Sequence, residues 1–75
     1  MPLINVKVIE GVFSGPQKQE MVKGLTEAMV RLEGENMRPV TWVVFEEVRS
    51  GDWGIGGNTL TTEAVKALAA GSAAG

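Results

Sequence analysis

Seventy-five residues, 44% of them apolar, with a net charge of −2 and neither cysteine nor histidine, make one thin domain. They exclude disulfide bracing, thiolate chemistry and the commonest general base and metal ligand. Scattered lysines and arginines form no nucleic-acid-binding stripe, no apolar run reaches a membrane span, and the Met1-Pro2-Leu3 start has no signal-peptide pattern. The expectation is a soluble, cytoplasmic protein without metal or cofactor. A chain this short buries only about 60% of the surface its unfolded form exposes. With so much apolar surface and no covalent staple, a homo-oligomer is expected.

Leu3-Ile4-Asn5-Val6-Lys7-Val8-Ile9 alternates around β-branched residues and predicts a strand. Ile4, Val6 and Val8 share one face, and Leu3, Asn5, Lys7 and Ile9 the other; Glu10-Gly11 ends it. Ser14-Gly15-Pro16-Gln17 is a helix start, with Ser14 and Gln17 spaced as a capping box and Pro16 presetting the backbone. Met21, Val22, Leu25, Ala28, Met29 and Leu32 recur at helical spacing as an apolar stripe. Gly24 interrupts the helix as a place for close packing, and Gly34 is its carboxyl-terminal cap.

Residues 35–39 read as a loop, and Val40 to Val48 as a second strand. Strand, helix and strand joined by short loops predict an α/β fold, a βαβ unit with parallel strands. Four glycines follow within residues 51–57, at Gly51, Gly54, Gly56 and Gly57; they require unusual backbone angles or the close approach of another chain. Thr61 to Ala70 reads as a short helix or an arm. The domain is expected to span residues 1–70, with residues 71–75 as a flexible tail. Two strands and one helix leave sheet edges and one sheet face open, which again calls for further copies.

Few groups remain for acid–base chemistry. The carboxylates Glu10, Glu46, Glu47 and Asp52 read as solvated or interface charges, and Ser14 and the threonines lack an activating base. Pro2 differs in kind. Initiator methionine is removed when the next residue is small, which leaves Pro2 as a secondary amine on a rigid ring. Free α-amino groups titrate at about 7.7–8.0, and apolar surroundings lower that value by disfavouring the cation. Such an amine is a base suited to proton transfer at carbon near neutral pH.

Pro2 with the strand that closes in Ile9-Glu10-Gly11, the Gln17-Lys18 helix start and Gly51-Asp52-Trp53-Gly54-Ile55-Gly56-Gly57 mark out the stretch from Pro2 to Gly57, about three-quarters of the chain. Over this stretch the sequence resembles the 4-oxalocrotonate tautomerase family, small enzymes with a catalytic terminal proline and a βαβ protomer in a typically hexameric assembly. The resemblance implies a trimer of dimers in which Pro2 shuttles a proton between the enol and keto forms of a 2-hydroxydienoate or 2-oxo acid. Trp53 falls where the family has an aromatic, usually Phe, that keeps the proline pocket apolar. Ile9 and Ile55 are implied as further wall residues of a pocket that neighbouring subunits help to build.

Two departures bear on the substrate. Val12-Phe13 stands where family members carry a carboxylate-binding arginine, and Trp42 where they carry a second arginine on the second strand. An aromatic ring does not replace a bidentate guanidinium. Either the substrate is an aromatic or otherwise less anionic enol or ketone, or another cation serves, with Arg38, Arg49 and Lys7 as candidates. Two rival readings stand beside the tautomerase: a dehalogenase or decarboxylase working through cationic Pro2, and a non-catalytic, oligomeric small-molecule binder.

Overall fold

The alternating stretch after Pro2 forms the first strand, β1 (Leu3–Ile9), in the computed structural model, which describes residues 1–71. Ile4, Val6 and Val8 are half-buried, whereas Leu3, Asn5 and Lys7 are exposed. Ile9 breaks the alternation at the strand's end, where it is buried.

Helix α1 (Gly15–Glu33) begins at the expected capping box. The Gln17 N–H donates to Ser14 Oγ at 3.2 Å and the Ser14 N–H donates to Gln17 Oε1 at 2.8 Å, satisfying two groups that a helix start otherwise leaves open. The helix ends at Gly34, whose φ of +105° suits glycine and whose N–H donates to the Val30 carbonyl at 2.8 Å. Its buried stripe runs to Val30 rather than to Leu32, which is 85% exposed. Two residues beyond Val30 is about 200° around a helix of 3.6 residues per turn, so Leu32 stands on the opposite side.

The segment expected to be a loop after Gly34 is a 3-10 helix (Glu35–Val40), with Pro39 inside it. Thr41 is tied back to it: its N–H donates to the Arg38 carbonyl at 3.3 Å and its Oγ1–H to the Met37 carbonyl at 2.8 Å. The second strand, β2 (Trp42–Val48), therefore opens two residues later than the sequence pattern placed it. β1 and β2 are parallel neighbours in one two-stranded sheet. The Trp42 N–H donates to the Pro2 carbonyl at 3.0 Å at one end, and the Glu10 N–H to the Val48 carbonyl at 2.7 Å at the other.

The glycine-rich segment is a β-hairpin. β3 (Trp53–Ile55) and β4 (Asn58–Leu60) pair antiparallel, with Trp53 opposite Leu60 and Ile55 opposite Asn58. The two-residue connection is Gly56-Gly57, both at positive φ (+59° and +86°), the backbone that tight hairpin turns require. Residues 62–69 then resolve the helix-or-arm alternative as a helix, α2 (Thr62–Ala69). Its cap is Thr61, whose hydroxyl accepts from the Ala64 N–H at 3.2 Å. The expected 71–75 tail lies, from residue 72 on, outside the described residues.

The chain divides into two compact units. The first holds Met1–Val6 and Ser14–Glu46, which are the opening of β1, α1, the 3-10 helix and most of β2. The second holds Lys7–Phe13 and the chain from Glu47 on, so it contains the end of β1, the hairpin and α2. Among the described residues Ile9 and Val30 are the buried hydrophobic residues, one in each unit. No described helix is long and apolar enough to cross a membrane.

Candidate active site

The second unit contains an apolar cavity of about 260 Å³. Its first wall is the end of β1 and the turn beyond it: Lys7, Val8, Ile9, Val12 and Phe13. Trp53 and Leu60 supply the second wall, and they stand side by side because the hairpin register makes them direct cross-strand partners. Val65 of α2 completes the lining. Lys7 is the one charged residue among these lining residues.

A polar network fixes the turn that carries Val12 and Phe13. Gly11, at φ +79°, donates its N–H to Glu47 Oε2 at 3.3 Å. Glu10 Oε1 accepts from the Ser50 N–H at 3.2 Å, and the Glu10 carbonyl accepts the Thr62 hydroxyl at 2.6 Å. The Thr62 N–H in turn donates to Ser50 Oγ at 2.9 Å. Ends of β1, β2 and α2 are thus joined at one point directly behind Ile9. The Gly51 N–H donates to the Leu60 carbonyl at 2.8 Å, which anchors the hairpin beside them.

Lys7, Ile9, Val12, Phe13 and Trp53 are brought together on this one cavity. Ile55 is not among its lining residues; it is 59% exposed near the hairpin tip. Leu60 and Val65 were absent from the sequence-based site. The Gly56-Gly57 turn fixes the Trp53–Leu60 register, and it is the signal that could have pointed to Leu60. No local pattern announces Val65, which depends on how α2 docks.

The remaining candidates are not among those lining residues. Trp42 is 54% exposed at the start of β2, in the first unit. Arg49 is exposed beyond β2. Arg38 is committed within the first unit: its guanidinium donates to both carboxylate oxygens of Glu27 and both of Glu35. These hydrogen bonds hold the carboxyls of Glu27 and Glu35 below the usual glutamate range and raise the guanidinium further above its ordinary value. Pro2 is half-buried, its carbonyl accepting from Trp42 and its nitrogen forming the peptide bond with Met1. Among the described residues no three His, Cys, Asp or Glu side chains gather as a metal-binding group.

Comparison with known proteins matches residues 2–63 to the family model described as tautomerase enzyme. A probable tautomerase of Dickeya dadantii is 33% identical over 61 residues, covering 81% of this chain and 90% of the relative. One from Campylobacter jejuni is 36% identical over 69 residues, covering 92% and 97% respectively. The solved structure of DmpI from Helicobacter pylori superimposes with a TM-score of 0.69 at 31% identity, over 79% of this chain and 95% of that one. An apo unfused 4-OT gives a TM-score of 0.70 at 30% identity, over 79% and 93%. Sequence and fold agree: this chain belongs to the 4-oxalocrotonate tautomerase family.

Proposed function

We propose that the protein is a tautomerase that interconverts enol and keto forms of a 2-oxo acid, with Pro2 as the proton carrier once Met1 is removed. The neutral secondary amine accepts the enol O–H proton, which leaves an enolate. The resulting ammonium then delivers a proton to the enolate carbon, so the amine returns unchanged and the product is the ketone. An apolar setting favours the neutral amine by penalising its cation, and it removes water that competes for the proton.

The observation that carries this reading is the convergence of Ile9, Val12, Phe13 and Trp53 on one apolar cavity in a chain of this family. The family match also opens at Pro2 and leaves Met1 outside it, which supports Pro2 as the first residue of the working enzyme. In the same reading the protein is a cytoplasmic homohexamer, and assembly brings a Pro2 amine to each cavity. Support for assembly comes from the exposed Leu3, Trp42 and Val44 on the open sheet face.

The test follows enol ketonisation by ultraviolet absorbance, with 2-hydroxymuconate and the enol of phenylpyruvate as substrates. Protein shown by intact mass to lack Met1 is compared with its Pro2→Ala variant and with protein that retains Met1. A positioned acid–base group contributes about 10²–10⁴-fold, so both comparisons should lose at least 10²-fold in kcat/KM. Equal rates in all three preparations would remove Pro2 from the chemistry.

A further inference from the structure

With Met1 removed, the Pro2 nitrogen belongs to a closed ring, and the first peptide plane carries that ring. The plane between Pro2 and Leu3 is held at its carbonyl, which accepts the Trp42 N–H at 3.0 Å. The Pro2 Cα lies in this plane and the ring nitrogen is one bond beyond it, so the position of the Trp42 N–H sets the place of the amine. Trp42 opens β2 directly after Thr41, and two ties from α1 hold the segment that delivers it. Arg38, in the 3-10 helix, donates through Nη2 to Glu27 Oε2 at 3.0 Å and to Glu35 Oε1 at 3.2 Å. Its Nη1 and Nε reach the other oxygen of each carboxylate. The Thr41 hydroxyl is shared between the Met37 carbonyl, at 2.8 Å, and Glu33 Oε2. Glu27 and Glu33 both belong to α1. Pro39, between the two ties, has a fixed backbone torsion of its own. Every residue of this chain of contacts lies in the first unit.

We propose that Arg38 and Thr41 are positioning residues for Pro2: by tethering the 3-10 helix to α1 they hold the Trp42 N–H that sets the place of the amine. Neither side chain touches the reacting atoms. Exposed ion pairs contribute little to overall stability, so the tether acts on local opening at the start of the strand pair rather than on folding. A misplacement of about 1 Å costs a catalytic step up to about 10²-fold, so a small loosening here is enough to slow proton transfer.

This inference rests on Pro2 as the proton carrier, and one arm of its test needs no turnover. Amide hydrogen exchange of the full chain lacking Met1 reads the Trp42 N–H, with the Val30 N–H inside α1 as the internal reference. In Arg38→Ala and in Thr41→Val the Trp42 amide should exchange at least about fivefold faster, and the Val30 amide less than about twofold faster. With the enol of phenylpyruvate, kcat should fall at least about fivefold in both variants while KM changes less than about twofold, because the ties act on the proton-transfer step and not on substrate binding. Thr41→Ser, which keeps the hydroxyl, should restore both readings. If Thr41→Val does not fold, Arg38→Ala and Glu27→Gln carry the same comparison. Unchanged exchange at Trp42, equal rises at Trp42 and Val30, faster exchange with kcat unchanged, or a loss confined to KM overturns the proposal. A Pro2→Ala variant as active as wild type overturns the tautomerase reading alone, and the exchange at Trp42 then still decides whether the tether exists.

Discussion

Gly11 is where a single missing Cβ has its largest consequence. Its φ of +79° is a left-handed conformation, costing a residue with a side chain about 1–2 kcal/mol. An alanine Cβ there also comes within 3.1 Å of the Thr62 methyl, too close unless the start of α2 gives way. Gly24 is the opposite case: it lies within α1, and an added Cβ meets nothing within 4 Å in the chain itself. The close packing expected there from sequence is therefore not met within the protomer. Gly11→Ala should lower unfolding stability by about 1–3 kcal/mol, whereas Gly24→Ala should raise it by about 0.5–1 kcal/mol, both read from urea denaturation. A loss at Gly24 instead would identify that helix surface as a seat for another chain.

Elements differ in how plainly their sequence announces them, and length explains most of it. α1 has 19 residues, a capping box and a glycine stop, so several independent signals agree on it. β1 shows its two faces in seven alternating residues. β3 and β4 have three residues each, too few for alternation to emerge, and Gly54 interrupts the first. Gly56-Gly57 is the one local signal of their pairing, read from sequence only as a call for unusual backbone angles or another chain, and nothing local announces Val65. The pocket residues Ile9, Val12, Phe13 and Trp53 came from likeness to a family, whereas Leu60 and Val65 are products of tertiary structure. Arg38 shows the same limit from the other side: sequence offers a cation, and folding spends it on Glu27 and Glu35, which joins α1 to the 3-10 helix. Because both carboxyls titrate below their ordinary value, this cluster stabilises the fold above the unfolded glutamate range, and its contribution is lost as pH falls through the lowered folded values. Glu27→Gln should thus lower the urea midpoint at pH 7, modestly because the groups are exposed. The difference from wild type should shrink toward zero on acidification.

For the whole molecule the central fact is how little is buried. Among the described residues two hydrophobic residues, Ile9 and Val30, are buried, while Leu3 and Trp42 are 61% and 54% exposed at the starts of adjacent strands. Val44 lies on the same face as Trp42, and Asn5 donates to Glu46 Oε1 at 2.8 Å across the strand pair. The exposed apolar side chains Leu3, Trp42 and Val44 favour covering this face, and the Asn5–Glu46 hydrogen bond offsets part of the cost of covering its polar groups. The face also stands on a chain whose length alone gives a marginal core. In the proposed assembly a second copy of the chain covers this face and adds stability to the protomer's small core. Two consequences separate this from a stable monomer. The wild-type thermal midpoint should rise with protein concentration, as mass action requires when folding and association are linked. The double variant Leu3→Lys with Trp42→Lys should show a smaller mass by light scattering than wild type and a lower midpoint. Its ketonisation rate should fall in proportion to the lost assembly, because the cavity and Pro2 are completed between copies in this reading. An unchanged mass would exclude this face from the interface. A smaller mass with full activity would mean that one protomer holds a complete site, and the pairing of Pro2 with the cavity would then have to be sought within a single chain.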